Sequence, residues 1–277
     1  MIIVKKILLV SMSLLTIFIL TACGSTKNSK TSDEYNKIKE KGVLVVALSP
    51  DYAPFEFQML KDGKNRIVGS DVDLAQAIAN EMGVKLKVEA MDFNNIMSAI
   101  HNGQADLAIS GLSVTEERKD AVDFSIPYYR AESKIIVRKT DVNKYKSLKD
   151  FKGKKIGAQK GSIQEGQATD QIKGANVIGL QVAGNLINEL KGKSLNAVVL
   201  DGVIAKGYAQ SNPDLQVLDT LKFSDDGSED TAIALQKGNP KLKKTVDQVI
   251  KRLKDNGQID KSIQENYQLS QEASSTK

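Results

Sequence analysis

Two stretches of the chain show the same order of apolar strands and amphipathic helices. In the first stretch, apolar runs predict strands at 43–48, 84–88 and 106–110, and apolar stripes predict helices at 71–82 and 94–101. In the second stretch, the same patterns predict strands at 154–158, 176–181 and 197–200, and helices at 162–173 and 184–191. Each stretch is a β-α-β-α-β unit, which predicts two open, mostly parallel sheets, each with its own core.

The remaining apolar segments connect the two units. Residues 134–138 (KIIVR) predict a connecting strand, residues 231–235 (TAIAL) predict another strand, and residues 240–267 predict a helical tail. If the strand at 231–235 returns to the first unit, the chain crosses between two lobes twice, and two crossings form a hinge. Two α/β lobes facing each other across a hinge enclose a cleft at the carboxyl ends of their strands, where such sheets bind ligands.

The N-terminal pattern differs from the rest of the chain. Lys5 and Lys6 precede an apolar run of 14 residues at 7–20, which is too short to span a bilayer comfortably but is typical of a signal peptide. The sequence LTAC at 20–23 resembles a bacterial lipobox, in which Cys23 is lipidated and becomes the first residue of the mature chain. An ordinary secretory signal with an incidental Cys, or an uncleaved anchor, are the alternatives.

These patterns divide the chain into a leader, a tether and two lobes. The expected divisions are a lipoprotein signal peptide at 1–22, the lipidated Cys and a flexible tether at 23–37, lobe 1 at 38–132 and 231–270, lobe 2 at 133–230, and a disordered tail at 271–277. Two acyl chains suffice for stable attachment. We therefore expect the protein on the outer face of the cell membrane of a Gram-positive-like cell, or in the periplasm if an outer membrane exists.

Composition excludes several other classes of protein. The hydrophobic fraction of 41% and the charged fraction of 26% are ordinary for a globular protein. The net charge of +5 is spread over interspersed residues, and with 5% aromatics and no Trp the chain lacks the surface of a nucleic-acid-binding protein. One Cys and one His cannot supply a disulfide framework or a His/Cys zinc site. We expect no nucleic-acid partner, metal or cofactor.

The first candidate ligand group follows the third predicted strand, in the segment 110–118 (SGLSVTEER). Thr115 is suited to cap a helix, but a cation such as Arg118 is mildly unfavourable near a helix N-terminus. A guanidinium at a strand end offers a planar fork for a carboxylate. The alternative is a surface arginine paired with an acidic neighbour at 116, 117 or 120.

Two further candidates lie at strand ends of the second unit. Ser162 and Glu165 have the spacing of a capping box, and the amides of a helix N-terminus form a carboxylate site. Asp201 ends a buried strand, where it can bind an ammonium group. A plain helix cap is the more common explanation for Ser162 and Glu165, and it is an equal alternative for Asp201.

A fourth candidate is the loop 49–57 (SPDYAPFEF) after the first strand. Tyr52 and Phe55 could line a pocket, although packing of Phe55 and Phe57 in the core is the favoured alternative. Together, the four segments provide an arginine for one end of a zwitterion and an aspartate for the other.

These segments resemble the bacterial family 3 extracellular solute-binding proteins, the receptors of polar amino-acid ABC importers. The resemblance extends over residues 38–268 and includes the lipobox, PDYAPFEF, GSDVDLAQAIA, SGLSVTEERKDAVDFSIPYY, KGSIQE and VVLDGVIAKGY. The pattern Ser-x-x-Ser-x-Thr-x-x-Arg, followed by Asp-Phe-Ser-x-Pro-Tyr, is highly specific to that family. It implies an α/β, two-lobed periplasmic-binding-protein-like fold of type II, with two sheets joined by a two-strand hinge.

The resemblance also implies roles for residues of the cleft. Arg118 is expected to bind the ligand α-carboxylate, and Asp201 the α-ammonium. The groups expected to assist are Ser113 and an amide near Ile163 for the carboxylate, and a carbonyl of Ser110 or Gly111 for the ammonium. The other candidate contacts are Tyr52 and Phe93, which would enclose the ligand side chain, Gln164, which would touch its tip, and Ser49, Asp51 and Ser162.

Three positions depart from the family pattern. Ser49 stands where members that bind cationic side chains often carry Asp, Gly111 where many have Ser or Thr, and Ile163 where many have Thr. The ligand side chain therefore stays open. A basic amino acid (arginine, histidine or lysine) is the first expectation, and glutamine the next.

The function that the resemblance implies is capture of a free L-amino acid by hinge closure and its delivery to a membrane permease with a cytoplasmic ATPase. We expect a lipid-anchored monomer without catalytic residues. The alternatives are a dehydratase-type enzyme on the same scaffold, and a surface adhesin or sensor. No G-x-S-x-G elbow is present, and Ile187 stands where a P-loop before 191–194 would need Gly.

Overall fold

The computed structural model describes residues 33–61, 63–224 and 229–275. Its helices are α1 (Glu34–Lys41), α2 (Ser70–Met82), α3 (Ile96–His101), α4 (Glu116–Ala121), α5 (Ile163–Gln171), α6 (Ala183–Lys191), α7 (Gly202–Ser211), α8 (Pro240–Asp255) and α9 (Gln258–Ser275). Its strands are β1 (Val43–Leu48), β2 (Asp51–Tyr52), β3 (Glu56–Lys61), β4 (Lys64–Val68), β5 (Lys85–Ala90), β6 (Leu107–Ala108), β7 (Asp123–Phe124), β8 (Tyr129–Arg130), β9 (Ser133–Arg138), β10 (Lys155–Gln159), β11 (Asn176–Leu180), β12 (Ala197–Asp201), β13 (Leu215–Val217), β14 (Asp230–Thr231) and β15 (Ala234–Leu235).

The first sheet has the strand order β5-β1-β6-β15-β7. Strand β1 is parallel to both β5 and β6, whereas β15 is antiparallel to β6 and β7. The side chains of Leu44 and Val46 pack with α2 and α8 on one face, and Ala47 packs with α3 on the other. An all-apolar strand such as VLVVAL suits a sheet that helices cover on both faces. The part of the chain built on this sheet is lobe 1.

The second sheet has the strand order β11-β10-β12-β9-β13 and forms lobe 2. Strands β10, β11 and β12 are parallel, and β9 is antiparallel to both β12 and β13. Successive residues of β9 face opposite sides, so Ile135 packs with α5 while Ile136 packs with α6. The segment expected as a connecting strand is therefore an inner strand of this sheet.

Each sheet is mixed and, as expected, mostly parallel. Four strands of each sheet run in the same direction, and one strand, β15 in the first sheet and β9 in the second, runs antiparallel to both of its neighbours. The predicted strand at 231–235 is divided into β14 and β15. A short ribbon of β8 and β14 carries the two chain crossings between the sheets.

Two of the divisions expected along the chain differ from the described structure. Residues 1–32, with the predicted signal peptide and Cys23, lie outside the described residues. Residues 34–37, expected in the tether, belong to α1 because Ile38 is buried in the core of lobe 1 and the Glu34 amide donates to Asn239 Oδ1. The lobe boundaries near 132 and 230 stay predictions.

The expected disorder at 271–277 is wrong for residues 271–275, which continue α9. Helix α9 first packs on lobe 1, where the Ser262 hydroxyl donates to Asp73 Oδ2 over 2.6 Å. It then reaches α7 of lobe 2, where Gln271 Oε1 accepts a hydrogen bond from the Ser211 hydroxyl over 3.0 Å. Tertiary contacts thus extend a segment that polar composition alone had suggested would be disordered. Within the described ranges, none of the helices is long and apolar enough to cross a membrane.

Candidate ligand-binding site

The carboxyl ends of the parallel strands of both lobes meet at a common edge. Polar contacts cross between the lobes there. They include Arg118 Nη2 to the Gly161 carbonyl oxygen (2.9 Å), the Ala183 amide (2.7 Å) and Gln159 Nε2 (3.3 Å) to Asp51 Oδ2, and the Asp201 amide to the Tyr52 hydroxyl oxygen (3.4 Å). The aromatic ring of Phe55 also joins the apolar core of lobe 2. The lobes are therefore in contact at the predicted cleft, in addition to the contacts that α9 makes with both lobes.

Arg118 is bound by carbonyl oxygens of both lobes. Its backbone amide donates to the Thr115 hydroxyl that caps α4 (3.2 Å), its Nη1 donates to the Ser113 carbonyl oxygen (2.7 Å), and its Nη2 donates to Gly161. Its guanidinium carbon lies 5.8 Å from the centre of the Phe93 ring, within the range of a cation–π contact. No carboxylate of the described residues forms an ion pair with it, which removes the alternative of a surface arginine paired with an acidic neighbour.

The guanidinium of Arg118 remains a cation with spare donors. Burial lowers the pKa of Arg118 to about 10, so it is charged at neutral pH. A guanidinium has five N–H donors, and two of them donate to the carbonyls of Ser113 and Gly161. Three donors are left for a ligand carboxylate.

Asp201 is a buried carboxylate with one oxygen in use. It ends β12 and caps α7, and its Oδ1 accepts from the Val203 amide (2.9 Å) and the Tyr129 hydroxyl (3.4 Å). Its Oδ2 is buried and has no donor within the described part of the chain. Burial raises the pKa of Asp201 to about 6. Oδ1 therefore caps α7, as the capping alternative expects, whereas Oδ2 makes no hydrogen bond within the described residues.

The strand end at 110–113 is held in place from behind. The Ser110 hydroxyl donates to Glu56 Oε1 (2.6 Å) and accepts from the Ser49 amide (3.0 Å), and the Gly111 amide donates to Asp71 Oδ2 (3.0 Å). Gly111 has a φ of 57°, a conformation that favours glycine, and a Cβ there would lie 3.4 Å from the Tyr52 ring. The hydroxyl of Ser110 is therefore used within lobe 1, and its carbonyl and that of Gly111 are the groups that fit the expected role.

The start of helix α5 carries three of the predicted ligand contacts, on the lobe 2 side of the candidate site. Ser162 caps α5 through its hydroxyl, which accepts from the Glu165 amide (3.2 Å), while Glu165 Oε2 accepts from the Gly161 amide (2.8 Å). The reciprocal bond of the expected capping box is thus shifted back by one residue. Ile163 is the first residue of α5, and the buried Gln164 donates from Nε2 to the Ser133 hydroxyl (3.3 Å).

Asp51 bridges the lobes. Its Oδ1 accepts from the Ser49 hydroxyl (2.9 Å), and its Oδ2 accepts from Gln159 Nε2 (3.3 Å) and from the Ala183 amide at the start of α6 (2.7 Å). Burial raises the pKa of Asp51, while these hydrogen bonds favour the carboxylate. Ser49 is buried at this contact. Ser49 and Asp51, two of the further candidate ligand contacts, thus lie at an interlobe contact next to Tyr52.

Sequence reasoning missed several residues that support the site. Glu56 and Asp71 hold the strand end at 110–111, Tyr129 holds Asp201, and Gln159 holds Asp51. The sequence offered one signal for these supporting residues: Glu56 lies between Phe55 and Phe57. Both phenylalanines are buried as expected. A separate cavity of about 280 Å³ between α2 and α9 is lined by Asp71 and Tyr128 but by none of the predicted ligand contacts.

The site thus offers a cation with spare donors from lobe 1 and a buried carboxylate oxygen from lobe 2. Residues 44–269 match the bacterial extracellular solute-binding proteins, family 3. The chain belongs to this family. Its proteins act outside the cytoplasm, and the two-lobed α/β fold and the resemblance read from the sequence are confirmed.

Relatives of the family 3 protein are binding proteins of amino-acid ABC transporters. The arginine-binding extracellular protein ArtP of Bacillus subtilis (strain 168) is 38% identical over 261 residues, which cover 93% of this chain and 96% of that protein. An amino-acid ABC transporter substrate-binding protein, AbpA of Streptococcus pneumoniae Canada MDR_19A, was solved bound to L-arginine. It has a TM-score of 0.82 and 47% identity, and the match covers 85% of this chain and 98% of that one.

One similar structure relates to the enzyme alternative. The ancestral amino-acid-binding protein AncCDT-1, a precursor of cyclohexadienyl dehydratase, has a TM-score of 0.77 and 32% identity, over 84% of this chain and 99% of that one. That protein is itself described as a binding protein.

Proposed function

We propose that this protein captures a free basic amino acid outside the cytoplasm, with L-arginine as the first candidate, and delivers it to the permease of an ABC importer. The observation that carries the proposal is that a cation, Arg118, and a buried carboxylate, Asp201, lie at strand ends of opposite lobes. Arg118 has three N–H donors to spare, and Asp201 Oδ2 is buried without a donor. A free amino acid has the complementary groups, a carboxylate and an ammonium.

The two ends of the ligand meet opposite charges. The guanidinium of Arg118 matches the planar α-carboxylate, assisted by Ser113 and the amides at the start of α5 around Ile163. Asp201 Oδ2 accepts from the α-ammonium, and the carbonyl of Ser110 or Gly111 accepts a second N–H. The rings of Tyr52 and Phe93 are half-buried beside these groups, where they can enclose the ligand side chain.

Closure supplies the coupling between binding and transport. A hydrogen bond to a charged group contributes about 1.5–3 kcal/mol net, and bonds that form only when the lobes meet favour the closed state by that difference. The contacts of Arg118 with Gly161 and of Asp51 with Ala183 belong to this class because each joins the two lobes. The closed form is then the one presented to the permease.

The names of the relatives support a basic ligand. ArtP is named as arginine-binding, and AbpA was solved with L-arginine. The resemblance of LTAC at 20–23 to a lipobox supports a receptor that Cys23 holds on the outer face of the membrane by its lipid, and we expect this receptor to be a monomer. The binding groups described above need no chemical conversion of the ligand, and we expect none.

A thermal-unfolding screen of the mature chain against the twenty amino acids, ornithine, citrulline and cystine tests the proposal. A ligand at 100 times its Kd raises the unfolding free energy by about 2.7 kcal/mol, so L-arginine should raise the midpoint clearly. Agmatine, which lacks the carboxylate, and argininic acid, which lacks the ammonium, are the matched controls and should not. If no amino acid raises the midpoint, the proposal is wrong. Prephenate should be recovered unchanged; its turnover would favour the enzyme alternative.

A further inference from the structure

Two carboxyl groups lie against each other inside lobe 1, behind the strand end at 110–111. Glu56 begins β3, Asp71 lies in the first turn of α2, and both are fully buried. The Asp71 amide donates to the Phe55 carbonyl oxygen over 2.9 Å, which fixes the start of α2 beside the start of β3. Gly69 allows this approach, because a Cβ there would lie 2.0 Å from the Phe55 carbonyl oxygen. The backbone therefore holds the two carboxyls together.

The hydrogen bonds of the pair leave two oxygens unexplained. Glu56 Oε1 accepts from Ser110, and Asp71 Oδ2 accepts from the Gly111 amide (3.0 Å) and the Tyr128 hydroxyl (2.8 Å). Glu56 Oε2 and Asp71 Oδ1 are buried and have no donor within the described ranges. After burial, a hydrogen bond between the two side chains acts to raise the pKa of Glu56 and to lower that of Asp71, the directions expected if Glu56 is the donor. Two carboxylate oxygens attract each other only if a proton lies between them.

The surroundings of the pair contain no compensating cation among the described residues. From β2, Asp51 and Tyr52 face it, and Tyr128 faces it from the segment before β8; all three are acids. The charged groups of the other elements packed nearby point elsewhere. Asp73 of α2 accepts from Ser262 and Asn266, Lys261 and Glu265 of α9 pair with each other, and Lys64 and Arg66 of β4 are exposed.

Burial and mutual repulsion both favour a proton on the pair. They raise the pKa of Glu56 well above its ordinary value, and burial raises the pKa of Asp71 to about 6. Two adjacent carboxyls of this kind titrate as a unit. The pair therefore loses its last proton only well above the pH at which an exposed glutamate does.

We propose that Glu56 is protonated and donates a hydrogen bond to Asp71, and that this proton-sharing pair positions Ser110 and Gly111 for ligand binding. The pair does not touch the ligand; it acts through the Ser110 hydroxyl and the Gly111 amide. Only the binding part of this inference rests on the proposed function. The protonation part stands on lobe 1 alone.

The shared proton gives the pair a defined pH dependence. In the unfolded chain Glu56 ionises near its ordinary pKa of 4.5, whereas its folded pKa is higher. The stability that the pair contributes is therefore complete below about pH 4.5 and is lost as the pH rises through the folded pKa of Glu56. Loss of the proton places two negative charges in contact and should displace Gly111.

Three variants separate this proposal from a general structural role. Glu56→Gln keeps the shape and a donor toward Asp71 but has no titratable proton. Glu56→Ala removes the contacts with both Ser110 and Asp71. Glu89→Gln makes the same change of charge at a half-exposed position of β5, where Glu89 pairs with Lys87, and is the matched control. The chain without residues 1–23 serves for all measurements, because the described cores are built from residue 35 onward.

Infrared difference spectra between the parent and Glu56→Gln, recorded from pH 5 upward, test the proton directly. The parent and Glu89→Gln should show the C=O stretching band of a protonated carboxylic acid, and Glu56→Gln should lack it. The amide proton of Gly111, followed by NMR, should shift as the band disappears at higher pH, and it should be independent of pH in Glu56→Gln. A parent without the band, or a band that Glu56→Gln retains, would overturn the shared proton.

Titration with L-arginine tests the positioning role. At pH 7, Glu56→Ala should raise the Kd at least tenfold, and Glu56→Gln should restore it to within threefold of the parent. A folded Glu56→Ala with unchanged Kd, or a Gly111 resonance that does not follow the titration, overturns positioning. If Glu56→Ala does not fold, the pH dependence of the Gly111 amide resonance in Glu56→Gln decides whether the pair positions Gly111. If even the parent binds no amino acid, the proposed function fails, while the infrared band and the Gly111 shift still decide this inference.

Discussion

Arg118 and Asp201 lie on opposite lobes, and they differ in how many of their hydrogen-bonding groups have partners in the structure. Arg118 is half-buried, donates to carbonyls of both lobes and keeps three donors to spare. Asp201 is 3% exposed, and its Oδ1 accepts from the Val203 amide of its own lobe and from the Tyr129 hydroxyl, whereas its Oδ2 is buried without a donor among the described residues. The cation thus donates to backbone carbonyls of both lobes, whereas the anion is held chiefly at the helix start that it caps in lobe 2.

This difference separates two tasks. A group that reaches across the cleft can respond to closure, because its contact with Gly161 exists only when the lobes meet. A carboxylate that a helix N-terminus holds rigidly is ready for its ligand before closure. We therefore expect substitutions of Arg118 to affect both affinity and closure, and substitutions of Asp201 to affect affinity and its pH dependence.

The largest expected effect is that of Arg118→Ala. Removing one partner of a buried, hydrogen-bonded charge pair costs about 2–5 kcal/mol, which raises the Kd for L-arginine thirtyfold or more in calorimetry. Arg118→Lys, which keeps the charge but not the fork, should fall between the parent and the alanine variant. The thermal midpoint without ligand should change little, since Arg118 is bonded to carbonyls that water can also satisfy.

The control for this substitution is Arg66→Ala, which removes an exposed arginine of β4. Its Kd should equal that of the parent. Unchanged affinity of Arg118→Ala would show that the carboxylate is bound elsewhere, and the comparison between the two lobes would fail.

The next effect concerns pH. Because the ammonium binds the ionised form of Asp201, and burial raises the pKa of this group to about 6, affinity should fall about tenfold for each pH unit below 6. Asp201→Asn should bind more weakly at pH 7 and should lack this acid limb. Calorimetry between pH 4.5 and 8 measures both. An identical acid limb in Asp201→Asn would assign it to another group.

The smallest effect is expected at Asp51, which joins the lobes without using a spare ligand-binding group. Asp51→Asn replaces a charged acceptor for the Ala183 amide by a neutral one, which costs about 1 kcal/mol and should raise the Kd by about fivefold. Small-angle scattering of the ligand-free variant should show a larger open fraction. The exposed Asp170→Asn is the control. If the two variants behave alike, Asp51 does not stabilise the closed form.

The elements of the fold could be predicted well where local pattern decides them. The strand at 43–48 was predicted with its observed bounds, and the helix at 71–82 begins one residue earlier in the structure. The period of apolar residues is a local property, so the chain displays it without tertiary information. The strand at 134–138 was predicted as well, but its place inside the second sheet was not, because it depends on pairing with β12 and β13.

The two charged groups expected to bind the ligand could be predicted from the sequence, whereas the residues that hold the strand ends in place could not. Arg118 and Asp201 stand out in sequence because each follows a predicted strand. Glu56 and Asp71 do not, since their pairing depends on how the start of α2 meets β3. The bond from Asp51 to Ala183 joins positions 132 residues apart and has no local signature.

The sequence by itself determined the two β-α-β-α-β units, the polar residues at their strand ends and the family, because spacing and local motifs carry that information along the chain. Only the tertiary structure decided that the Arg118 guanidinium reaches Gly161, that Asp201 keeps one oxygen unbonded, and that Glu56 lies against Asp71. These facts depend on which groups are brought together out of water, and burial and distance are properties of the folded chain alone.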